Sequence, residues 1–148
     1  MKTIFLSIIF IICISIGLEA KSHKINHKSN VSSISFKIEK AEYKDEHTTI
    51  IVKVKQKQNF SYNISLTDIY ILPSNHYVDT IRGKLINWNN HKNPNPSNIP
   101  VSDENEELLI LSFPGDVITD NPAFDLKIGN IMDRKKTELL FKDIPFSR

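Results

Sequence analysis

From residue 33 onward the chain alternates apolar and polar side chains in short runs with a period of two. Ile34, Phe36 and Ile38 oppose Ser35, Lys37 and Glu39, which predicts a strand over residues 33–43 with one face in water. The phase slips at Lys40-Ala41, after which Ala41 and Tyr43 take the apolar positions; a bulge of one extra residue does this. Residues 48–57 set Ile50, Val52 and Val54 against Lys53, Lys55 and Lys57, and their β-branched content strengthens the strand assignment. Phe60, Tyr62, Ile64 and Leu66 then share one face, and a short apolar run at 68–72 is stopped by Pro73. A weaker run over 77–86 is interrupted at Gly83, where a glycine predicts a bend or bulge.

The run Glu-Leu-Leu-Ile-Leu-Ser-Phe at 107–113 is closed by Pro114-Gly115-Asp116. It is apolar on both faces, with Leu109, Leu111 and Phe113 on one side and Leu108 and Ile110 on the other. Such a strand belongs deep in a sheet, with its second face under a loop or a partner. Phe124, Leu126 and Ile128 predict another strand, and residues 137–141 with 144–146 supply the last. No helical period is present after residue 20. Seven to eight short strands, about 8–12 residues apart, predict an all-β fold: an antiparallel two-sheet sandwich.

The 87–105 stretch stands apart, because asparagines and Pro94, Pro96 and Pro100 interrupt any regular pattern. It is expected to be a long loop, and long loops in small domains commonly carry function. At its start Trp88, the single tryptophan, is followed by Asn89, Asn90 and His91. A large aromatic beside adaptable hydrogen-bonding groups makes these four the candidate partner contact. The alternative is that Trp88 folds back over Leu108 and Ile110 as a lid on the core.

The chain ends change the compartment rather than the fold. Residues 1–20 carry Lys2 and an apolar run from Ile4 to Ile16, the arrangement of a secretory signal peptide. An uncleaved anchor is the alternative, and the membrane is expected to be met only through that leader. The one cysteine, Cys13, lies within it, so the exported chain, secreted or periplasmic, has no disulfide and depends on its core. Residues 21–32, polar and without period, are expected to form a flexible leader before a single domain at 33–148.

The order of strands resembles the immunoglobulin-like domains of small bacterial secreted proteins and lipoproteins of unknown function. The residues that carry it are Ile50-Ile51-Val52-Lys53-Val54, the 107–113 strand and Phe124-Asp125-Leu126-Lys127-Ile128-Gly129. It implies a sandwich over residues 33–146 and brings no shared catalytic set. The cysteine pair and core tryptophan of antibody-type domains are absent.

The net charge of +2 is small, and no nucleic-acid partner is expected. The lysines of 53–57 form either an anion-binding strip or a solvated face that blunts a sheet edge. Gly-x-Ser-x-Gly and His-Glu-x-x-His do not occur, which removes two familiar routes to hydrolysis. His23 and His27 have helical metal spacing but sit among lysines. Asp103, Glu104, Glu106 and Glu107 offer oxygens but fit no calcium loop. No catalytic residue, metal or cofactor is expected. The three asparagine sequons at Asn30, Asn59 and Asn63 bear only on a eukaryotic secretory route. The expected function is a secreted or surface-exposed, non-catalytic binding module for an unknown protein or glycan. A carbohydrate-active or other hydrolase using loop carboxylates, and a subunit of a cell-envelope assembly docking through Leu108 and Ile110, are the alternatives.

Overall fold

The computed structural model describes residues 21–31, 33–58, 62–73, 80–117, 123–129 and 138–145. The expected signal peptide at residues 1–20, and Phe60, Tyr77 and Phe146 of the expected strands, lie outside them. The described residues form eleven strands and no helix. They are β1 (Lys21–Val31), β2 (Ile34–Lys44), β3 (His47–Gln56), β4 (Tyr62–Ile64), β5 (Asp68–Pro73) and β6 (Ile81–Trp88), followed by β7 (His91–Lys92), β8 (Ile99–Val101), β9 (Glu107–Pro114), β10 (Ala123–Gly129) and β11 (Leu139–Pro145).

Hydrogen bonding runs without a break through β1-β2-β3-β9-β6-β5-β10-β11, and β7 is added to β6. Every neighbouring pair is antiparallel. The ends of this path come together. On β1 the His27 ring meets Phe141 of β11 edge-on, with centroids 5.7 Å apart. The sheet is thus nearly closed into a barrel-like shape. Two separate sheets, as the strand spacing predicts, are not seen; β6 joins the two halves, pairing with β5 along Ile81–Gly83 and with β9 along Lys84–Trp88. A separate ribbon of β4 and β8 lies apart from the path.

Bulges make that curvature possible, since an extra residue bends a strand and raises its twist. The slip expected at Lys40-Ala41 is present as a register shift between Ile38 and Lys40, and β1 shifts beside it between Lys24 and His27. On the inside, Phe36, Ile38, Ile50, Val52, Leu111, Phe113, Leu126 and Phe141 are fully buried. Each such side chain contributes about 1.5–3 kcal/mol by leaving water, which is how a chain without disulfides holds together.

Residues 21–31 correct the expectation of a flexible leader. They form a long paired edge of the sheet, from Lys21 opposite Tyr43 to Val31 opposite Ile34. Only Ile25 and Val31 are buried on this strand, so no apolar alternation marks it. The backbone ladder to β2 holds it instead.

Candidate functional site

The four candidate contact residues fall on one tight hairpin joining β6 to β7. Trp88 and His91 pair across it, and Asn89 and Asn90 form its two-residue turn with φ of 44° and 68°. Both central residues at positive φ make a mirror-image turn, for which asparagine is favoured. Parts of the expected long loop are therefore strand: β7 follows this turn, and β8 pairs with β4.

Within the hairpin the side chains divide by direction. Trp88 stands opposite Leu109 and packs, half-buried, against the core from the inner side. The indole Nε1 donates to Glu107 Oε2 at 2.9 Å, and Asn89 Nδ2 donates to the same oxygen. Asn89 Oδ1 accepts from the Leu108 backbone at 2.6 Å. A buried carboxylate is costly unless hydrogen-bonded, and these donors satisfy Glu107. Asn90 and His91 are exposed.

On the outer face of β2 and β3 one lysine of the 53–57 strip, Lys53, is neutralised by neighbouring carboxylates, while Lys55 and Lys57 are exposed and have no ion pair among the described residues. Lys53 Nζ lies 3.0 Å from both Glu39 and Glu106, and Lys37 lies 3.2 Å from Glu39. The Lys53 ammonium, with Lys37 behind it, draws the Glu39 carboxyl below the usual carboxylate range against the opposing effect of burial. Glu106 and Glu39 together raise Lys53. Lys40 is likewise paired with Glu42 at 2.6 Å. Of the acidic residues at 103–107 that offer oxygens to calcium, Glu106 and Glu107 are thus occupied by protein donors. No group of three potential metal ligands occurs among the described residues.

A different arrangement appears where β6 changes partners. Beyond Gly83 the strand leaves β5, and it gains β7 only at Asn87. A groove of about 610 Å³ opens beside this stretch. Leu66, Gly83 and Leu85 supply apolar lining, and Thr67, Ser112, Pro96 and Pro114 complete the walls. The wall segments are tied together where the Leu66 N–H donates to the Pro96 carbonyl at 2.7 Å. Arg82, Lys84 and His47 are its basic members, and no acidic residue lines it among the described residues. Arg82 and Lys84 have no ion-pair partner among the described residues.

Gly83 is required here for space rather than for a bend. A Cβ at this position would come within 2.2 Å of the Phe113 ring, so the strand can lie over that buried aromatic only without a side chain. The bulge in β6 comes later, between Leu85 and Asn87. The groove draws on residues from 47 to 114, and no local motif announces it. Gly83 is its one visible trace in the sequence.

No family model matches this chain, and no curated protein matches it. Its fold is similar to that in the crystal structure of a functionally unknown protein from Listeria monocytogenes EGD-e, with a TM-score of 0.57 at 10% sequence identity, covering 88% of this chain and 90% of that one. At that identity the likeness concerns the fold alone.

Proposed function

We propose that this protein is an exported, non-catalytic binding module whose ligand site is the groove beside β6. The observation that supports it most is the combination of volume and lining. About 610 Å³ with apolar walls and a few polar groups falls in the range of small-ligand sites, which are commonly about 300–1,000 Å³. The sheet around it is rigid in the sense that matters for recognition: Leu66, Leu85 and Ser112 are all buried residues of the fold. Export rests on the apolar leader at residues 4–16 behind Lys2. An immunoglobulin-like frame remains a way to describe the outward-facing loops, but the binding proposal does not depend on it. The exposed pair Asn90 and His91 is a second proposed contact, held out by Trp88 and Asn89.

The test is a titration with neutral N-phenylnaphthylamine, whose fluorescence rises in apolar surroundings. The wild-type protein is expected to bind it saturably at one site. Thr67→Trp, which fills the groove from its wall, is expected to abolish that binding without changing the melting transition. Equal binding by the filled variant would refute the groove as the site.

A further inference from the structure

We infer that the groove beside β6 selects an organic anion, a ligand joining one carboxylate or phosphate-like group to a compact apolar body. This rests on the groove being the binding site and adds the ligand's charge. Three basic side chains, His47, Arg82 and Lys84, line the groove, and no acidic side chain does among the described residues. Lys37, Lys40, Lys53 and Lys127, by contrast, each sit within 3.2 Å of a carboxylate. Among the described residues Arg82 and Lys84 have no such partner, although they line the groove with apolar Leu66 and Leu85.

Two cations left without carboxylates beside an apolar lining match a ligand that brings its own negative charge. Arginine offers a planar fork of donors suited to carboxylate or phosphate oxygens, and the lysine adds a mobile point charge. Removing part of the ligand from water strengthens both contacts by lowering the local dielectric. The hydroxyls of Thr67 and Ser112, on the walls, extend the donor set. A metal cation is disfavoured by the same inventory, because hard cations need oxygen ligands with negative charge.

The test compares two dyes of nearly the same hydrocarbon body, anilinonaphthalene sulfonate and neutral N-phenylnaphthylamine. The wild-type protein is expected to bind the anion at least about tenfold more tightly, the ratio that about 1.4 kcal/mol of charge-assisted contact gives. In Arg82→Gln/Lys84→Gln that preference is expected to fall to about twofold or less, with the neutral dye unaffected. Lys37→Gln/Lys53→Gln, on the other basic surface, is expected to leave both affinities unchanged. Equal affinity of the wild type for the two dyes, or a preference that survives the groove variant, overturns the anion inference while the groove remains a site. Failure of both dyes to bind overturns the groove itself.

Discussion

The outer surface of this curled sheet carries two clusters of basic side chains, and they are built in opposite ways. On β2 and β3, Lys37 and Lys53 alternate with Glu39 and Glu106 in a chain of contacts of 3.0–3.2 Å. Beside β6, Arg82 and Lys84 line an apolar groove with no carboxylate among the described residues of its lining. The first cluster is conspicuous in the sequence because lysines recur at every second residue. The second is inconspicuous, two basic residues around one glycine. Charge density along a strand therefore says little about where an anion would bind. What decides is whether neighbouring strands have already supplied the counter-charge.

The largest effect that sharpens this contrast is expected from Gly83→Val. Its side chain would overlap the Phe113 ring, whose Cε1 lies 2.2 Å from the point a Cβ of residue 83 would occupy. Overpacking of this kind typically costs about 1–3 kcal/mol, occasionally more. A lowered midpoint in urea, with the m-value unchanged, would show that the groove is anchored to the core. A melt indistinguishable from wild type would mean that β6 is free to move away from β9, and the groove would lose its fixed shape.

A smaller effect separates the two basic clusters directly. Glu39→Gln removes the shared partner of Lys37 and Lys53 and is expected to cost about 0.5–1 kcal/mol at low salt, since exposed pairs contribute little each. The cost should shrink as salt screens the charges. Arg82→Gln/Lys84→Gln is expected to stay within about 0.5 kcal/mol of wild type, because no ion pair among the described residues is lost. Denaturant titrations of the two variants at low and high salt provide the check. If the groove variant proved the more destabilised and the more salt-dependent, its cations would be structural after all.

The smallest effect is in acid. The Glu39 carboxyl is held below its ordinary value chiefly by Lys53. A group with a depressed folded pKa stabilises the fold above its unfolded value of about 4.3 and loses that contribution as pH falls through the lower folded value. Melting temperatures of wild type and Glu39→Gln should therefore differ at pH 7 and converge as pH falls through the lowered folded value of Glu39. Lys53 is raised by Glu106 and Glu39, so its share persists below the ordinary lysine value and disappears as pH rises through the raised one. A gap that stays constant down to the lowest pH would contradict the Lys53–Glu39 contact.

Much of the fold is legible where one face of a strand is buried. β2, β3, β9 and β10 follow the alternation of Ile34, Ile50, Leu109 and Phe124 with their polar neighbours, and the slip at Lys40 marks a real bulge. β1 is not legible, because an edge strand held by its backbone ladder needs few apolar residues; Ile25 and Val31 suffice. The hairpin at Asn89-Asn90 has a local signal, two asparagines able to take positive φ, which the prolines that follow obscure. Closure into one curled sheet depends on which strands pair, and alternation does not encode that. The groove is hidden for the same reason. Leu66, Arg82, Pro96 and Ser112 meet only after β6 has exchanged one partner for another.

The most direct measurement is a two-dimensional amide-resolved NMR titration of the folded protein with anilinonaphthalene sulfonate. Shifts are expected to concentrate at Thr67, Arg82, Lys84, Leu85 and Ser112, saturating together at one equivalent. Shifts centred instead on Lys37, Lys53 and Lys55, or on Asn90 and His91, would contradict the groove as the anion site and move it to the cluster concerned.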